Sequence, residues 1–122
     1  MKTILVVDDE TRIRFIYNRF LTLEGFNVLE ASSCIDANEI LKREHVDLIL
    51  LDLRLPEVKG HTLYDVIQMF HPRTKVIVSS VYHLERQKEI IPGATDYFDK
   101  SQGIDALLTK IRQVLVEEVP SP

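Results

Sequence analysis

The chain has 122 residues, of which 45% are apolar and 28% charged, and a net charge of −4. That length fits one domain with a single core and leaves little room for a second, and the acidic balance argues against a basic nucleic-acid-binding or membrane-surface face, so neither partner is expected. A single cysteine, Cys34, excludes an internal disulfide, and the first apolar run, four residues long, is too short for a signal peptide or membrane span, so a cytoplasmic setting is expected.

That first run, Ile4-Leu5-Val6-Val7, predicts a strand ending at Asp8-Asp9-Glu10. Ile13, Ile16, Tyr17, Phe20 and Leu21 then recur at helical spacing, and Gly25 supplies a stop. Residues 26–30 read as a second strand. Ser32 and Ser33 are N-cap candidates, and Asp36, three positions after Ser33, completes a pattern resembling a capping box. Ala37, Ile40 and Leu41 form the stripe of a second helix, with Cys34 on the same side as an apolar filler.

Residues 46–51 read as a strand, and Leu48-Ile49-Leu50-Leu51 within it is an unbroken apolar run that ends at Asp52, the pattern of a central parallel strand buried on both faces. After Pro56 and Gly60 comes a third helix with Leu63, Val66, Ile67 and Phe70 as its apolar positions, closed by Pro72. Val76-Ile77-Val78 is a fourth strand, ending in Ser79-Ser80. Residues 85–89 are a charged, solvated run that allows only a short helix before Pro92-Gly93. Residues 95–98 are the fifth strand, and Asp99-Lys100 ends it. Ile104, Leu107, Leu108, Ile111, Val114 and Leu115 line a last helix. One domain is expected over residues 1–118, with a frayed tail over 119–122.

Strict alternation of five strands and five helices predicts an α/β fold, a doubly wound parallel sheet. The flavodoxin-like strand order 2-1-3-4-5 is the common solution for five such units. Its strands end at one shared edge, which collects Asp8 and Asp9, Asp52, the Ser79-Ser80 pair, and Lys100. Each of these alone reads most simply as a cap, a turn or a solvated residue. Together they describe one cleft. Clustered carboxylates repel one another, and a divalent cation relieves that repulsion. An all-oxygen donor set with few carboxylates selects Mg²⁺, or Mn²⁺ in its place. An aspartate beside such an ion can act as a nucleophile towards phosphorus, with a lysine and a hydroxyl facing the phosphoryl oxygens.

Four stretches carry a resemblance. They are Val6-Val7-Asp8-Asp9-Glu10, then Leu50-Leu51-Asp52-Leu53-Arg54-Leu55-Pro56 with Gly60, then Val76-Ile77-Val78-Ser79-Ser80, and last Gly93-Ala94-Thr95-Asp96-Tyr97-Phe98-Asp99-Lys100. In this order, over essentially the whole chain, they resemble the receiver domain of bacterial two-component response regulators. The resemblance implies that Asp52 is a phosphoacceptor, taking a phosphoryl group from a phosphohistidine on a sensor histidine kinase or phosphotransfer protein. It implies direct Mg²⁺ ligation by Asp9, Asp52 and the backbone carbonyl of Arg54, with Asp8 acting mainly through water. It assigns the switch hydroxyl to Ser80, the phosphoryl contact to Lys100, and the aromatic that changes rotamer on activation to Tyr97. A downstream protein target would read the switched surface. Such a domain assists its own phosphorylation and dephosphorylation and is not otherwise an enzyme.

The chain departs from the pattern at Val81, where a small residue usually follows the hydroxyl, and at Ser101, where proline, often cis, follows the lysine. A cis bond without proline would cost about 3–4 kcal/mol. The segment from Ser80 to Gly93 is short, which predicts a truncated fourth helix. Two other readings compete: a degenerate receiver that binds proteins without phosphorylation, and an aspartyl-phosphate phosphatase of the haloacid dehalogenase type. The latter needs Asp-x-Asp after its first strand, which Asp8-Asp9 does not match.

Overall fold

A computed structural model describes residues 1–54 and 60–116. The strands are β1 (Thr3–Val7), β2 (Asn27–Ala31), β3 (Leu48–Leu51), β4 (Lys75–Ser80) and β5 (Asp96–Asp99). The helices between and after them are α1 (Thr11–Leu23), α2 (Cys34–Arg43), α3 (Gly60–Phe70), α4 (Leu84–Ile90) and α5 (Ile104–Val114). All four strand pairings are parallel, and the order is β2-β1-β3-β4-β5, as the alternating pattern requires. Leu55, Pro56 and the boundary drawn at residue 118 lie outside the described residues, as does the side chain of His61.

The sheet divides the core in two. On one face α2, α3 and α4 cover Leu5, Val7, Ile49, Leu51, Val76 and Val78. On the other, α1 and α5 cover Ile4, Val6, Leu48, Leu50, Ile77 and Phe98. Every β3 residue is buried, because helices cover both of its sides. This is why the run before Asp52 shows no polar alternation.

Two residues assigned to apolar stripes lie outward. Ile16 is 44% exposed and Phe70 68%, while Tyr17 and Tyr64 are buried in the two halves of the core. A helix stripe is wider than the seam it covers, and periodicity alone does not separate its centre from its margin.

Local signals behave as their chemistry dictates. Gly25 follows α1 at φ +94°, a conformation that disfavours a Cβ. Ser33 caps α2 by accepting the Asp36 N–H at 3.1 Å, and Ser32 Oγ donates to the Asp36 carboxylate at 3.0 Å. Ser33→Ala removes that cap, and urea titration is expected to read a loss of about 1 kcal/mol of stability.

Candidate functional site

The carboxyl ends of β1 and β3 place three aspartates together. Asp8, Asp9 and Asp52 each offer a carboxylate oxygen within 4.8 Å of the others. Asp8 and Asp52 are buried and Asp9 is exposed, so the cluster opens outward on one side. Local turns orient the buried pair. Asp8 Oδ1 accepts the Glu10 N–H at 2.9 Å, and Asp52 Oδ1 accepts the Arg54 N–H at 3.2 Å.

Lys100 reaches the same place from the end of β5. Its Nζ lies 2.6 Å from Asp8 Oδ2 and 3.6 Å from Asp52 Oδ2. Burial pushes the Asp52 carboxyl up to about 6; Asp8 and Asp9 add to the rise, while Lys100 and the Arg54 N–H oppose it. For Lys100, burial disfavours the charge, but the hydrogen bond to Asp8 and the neighbouring carboxylates outweigh it and hold the ammonium above its ordinary 10.5.

Proline is absent after Lys100, and the chain turns by other means. Asp99 accepts both the N–H and the hydroxyl of Ser101, at 2.9 and 2.7 Å, capping a single 3-10 turn over Lys100–Gln102. These bonds hold the Asp99 carboxyl below its usual range, with His83 adding to the effect. No peptide bond among the described residues is cis, so Lys100–Ser101 is trans.

Two serines end β4. Side chains alternate along a strand. Ile77, and with it Ser79, takes the face of Val6, Leu50 and Phe98, and the Ser79 Oγ is buried there with no hydrogen-bond partner of standard geometry. Ser80 takes the opposite face with Val76, Val78 and Tyr97, where its Oγ accepts the Tyr82 N–H at 3.2 Å.

Tyr97 does not join the cleft. It is buried on the α4 face, where its hydroxyl donates to Ile91 O at 2.5 Å and accepts the Ala94 N–H at 3.1 Å. Tyr64 donates to the neighbouring Gly93 O at 3.0 Å, so two phenols grip the loop between α4 and β5. The helix before that loop is short, as the sequence requires, but it is not solvated throughout. Gln87 is fully buried, and its Nε2 donates to Tyr82 O at 2.7 Å and Phe98 O at 2.9 Å. A buried carboxamide that binds backbone carbonyls leaves no periodic trace among charged neighbours, so the pattern of residues 85–89 concealed it.

All-oxygen donors that converge on one point, two of them buried with an excess of negative charge, fit a hard divalent cation. No candidate membrane span is present among the helices of the described residues.

Known proteins resemble this chain. The family model described as the response regulator receiver domain matches residues 4–112. Sporulation initiation phosphotransferase F of Bacillus subtilis is 28% identical over 116 residues, 92% of each chain. The probable transcriptional regulator ycf27 of Porphyridium aerugineum is 35% identical, but the chain spans only 47% of its length. The response regulator TrrA of Thermotoga maritima, solved with Mg²⁺ and beryllofluoride, superposes with a TM-score of 0.86 at 30% identity, covering 94% of this chain and 100% of TrrA. TrrA has also been solved in complex with the histidine kinase ThkA. With strand order, carboxylate cluster and lysine all in place along the matched length, this chain belongs to the response regulator receiver domain family.

Proposed function

We propose that this receiver accepts a phosphoryl group on Asp52 from the phosphohistidine of a sensor histidine kinase or phosphotransfer protein, in an Mg²⁺-dependent reaction. The observation that carries the reading is the Asp52 carboxylate, buried between the Asp8–Asp9 pair and an ammonium 3.6 Å away. Asp9, Asp52 and the Arg54 carbonyl would hold the metal directly and Asp8 through water. Bound there, the ion supplies neutralisation of the negative charge carried by the phosphoryl group.

The remaining work belongs to the chain's own residues. Asp52 supplies the attacking carboxylate oxygen. Lys100 presents an ammonium to the phosphoryl oxygens, exchanging part of its contact with Asp8. Ser80 supplies the switch hydroxyl, on the same face of the sheet as Tyr97. Hydrogen bonds to a charged group contribute on the order of 1.5–3 kcal/mol each. Two such contacts approach the roughly 5.5 kcal/mol that reverses a 1:99 equilibrium. The response is therefore a population shift in the loops after β3 and β4, followed by Tyr97 leaving its bonds to Ile91 and Ala94. A downstream protein would read that change. The 92% span of a phosphotransferase relative supports a relay role, and the partial span of a transcriptional regulator supports an input role within a longer protein.

The test is incubation with Mg²⁺ and acetyl phosphate, followed by intact mass, with wild type beside Asp52→Ala. Gain of one phosphoryl group by the wild type alone is expected. No gain in either would favour a phosphorylation-independent binding module, and steady turnover of phosphoesters would favour a phosphatase. A second comparison separates the two serines. Ser80→Ala is expected to weaken beryllofluoride binding about tenfold, the scale of one charge-assisted hydrogen bond. Ser79→Ala should leave it within about twofold, because Ser79 follows Ile77 on the face packed against α1 and α5.

A further inference from the structure

The buried residue of α4 ties the loop after β4 to the sheet. Gln87 is fully buried, and its Nε2 donates to Tyr82 O at 2.7 Å and to Phe98 O at 2.9 Å, with Ser80 O 3.5 Å away. The two close bonds use both amide protons. One of them holds the loop that follows Ser80, and the other anchors the carboxamide to β5. The loop end of this tie is folded back on Ser80, because the Tyr82 N–H donates to Ser80 Oγ at 3.2 Å. Gln87 Oε1, in contrast, is buried without a hydrogen-bond partner among the described residues. An unpaired buried acceptor is a cost that methionine or leucine in the same space would not carry. Packing therefore does not account for a carboxamide at this position, and its two donated bonds do.

We propose that Gln87 is a positioning residue for the switch, a latch on its resting form: it pins the turn over residues 80–82 to β5, and the Ser80 hydroxyl reaches a phosphoryl group on Asp52 only as the bond from Gln87 to Tyr82 O breaks. In the resting form Ser80 Oγ is occupied by the Tyr82 N–H. To meet the phosphoryl group, that hydroxyl either leaves the Tyr82 N–H or carries the turn along with it. The first route strands a backbone donor where Gln87 holds it. The second draws Tyr82 O away from Gln87 Nε2, because the bond to Phe98 O keeps the carboxamide with β5. Gln87 opposes both, so its bond to the loop stabilises the resting form and lowers the fraction of molecules able to close on the phosphoryl group. Gln87 touches neither metal nor phosphoryl group in this scheme and acts only through Ser80. The inference rests on the phosphoacceptor reading above, with Ser80 as its switch hydroxyl.

The test is a double-mutant cycle on beryllofluoride affinity in saturating Mg²⁺, using wild type, Gln87→Met, Ser80→Ala and the double variant. Methionine fills the same space without a donor. Gln87→Met is expected to bind about fivefold more tightly, since loss of one neutral hydrogen bond from the resting form raises the competent fraction by that factor. In the Ser80→Ala background the same change is expected to have no effect, because no hydroxyl then requires the turn to move. A purely structural role for Gln87 would weaken binding or shift it equally in both backgrounds, and either result would overturn the inference, as would unchanged binding by Gln87→Met. A measurement on wild type alone serves should the variant fold poorly. By NMR hydrogen exchange, the Gln87 side-chain amide protons are expected to be protected in metal-free protein and to lose that protection when beryllofluoride saturates the site. Equal protection in both states would overturn the inference. Wild type that binds no beryllofluoride would refute the phosphoacceptor reading, and this inference with it. Wild type that binds while Gln87→Met matches it would refute the inference alone.

Discussion

In metal-free protein at pH 7.5, Asp52→Asn is expected to melt at a higher temperature than wild type, by roughly 3–10 °C. The cause is the cost of keeping Asp52 ionised. Its carboxyl sits at about 6 in the folded chain against an ordinary 3.8, chiefly because it is buried, with Asp8 and Asp9 adding repulsion. The folded state therefore binds this proton more tightly than the unfolded state does. The stabilisation this provides is complete below pH 3.8 and is lost as pH rises through about 6. Above that range the charge costs on the order of 1–3 kcal/mol, the upper figure being the full difference of about two pK units and the lower one allowing for solvent in the open cleft. Asparagine keeps the shape and removes the charge. The difference between the variants should close as pH falls towards 5, which differential scanning calorimetry across a pH series would read directly. Added Mg²⁺ should close it from the other side, since a ligand at ten times its Kd stabilises the form that binds it by about 1.4 kcal/mol. Equal melting temperatures at pH 7.5 in chelator would mean that Asp52 is hydrated in the folded chain and that its burial has no energetic consequence.

The parts of this site that were legible in the sequence are those set by strand ends. Asp8, Asp9, Asp52 and Lys100 each follow an apolar run, and a parallel sheet carries every such end to one edge. No register is needed to place them there. The two serines that end β4 are different in kind. Adjacent strand residues face opposite sides, so one lies with the α1 and α5 core and the other under α4 with Tyr97. Which is which is invisible in Val76-Ile77-Val78-Ser79-Ser80, where both faces are apolar up to the serines. Ser101 was legible only as a missing proline. The Asp99 cap that turns the chain there needs an N–H that proline lacks, so the departure is a different solution to the same turn.

Lys100→Ala is expected to have the larger effect on stability: a loss of about 3–5 kcal/mol at pH 7.5 in chelator, the scale for removing one partner of a buried ion pair. The ammonium is 9% exposed, and its partners Asp8 and Asp52 are 4% and 7% exposed, so water replaces it only in part at the carboxylates it leaves behind. The contrast is Lys110, whose bond to Asp96 is 3.4 Å long with both side chains about three-tenths exposed. Lys110→Ala should cost under about 1 kcal/mol. The loss at Lys100 has a signature that lost packing would not produce. It arises from uncompensated negative charge, so a second change that removes charge should restore part of it. The double variant Lys100→Ala/Asp52→Asn is accordingly expected to be more stable than Lys100→Ala alone. Mg²⁺ should stabilise Lys100→Ala by more than it stabilises wild type, because the cation then meets three carboxylates with no competing ammonium. Urea titrations with and without Mg²⁺ measure both. If neither the second substitution nor the ion restores stability, Lys100 holds the end of β5 through its methylene stem, and the cleft is not the electrostatic balance of three aspartates against one lysine.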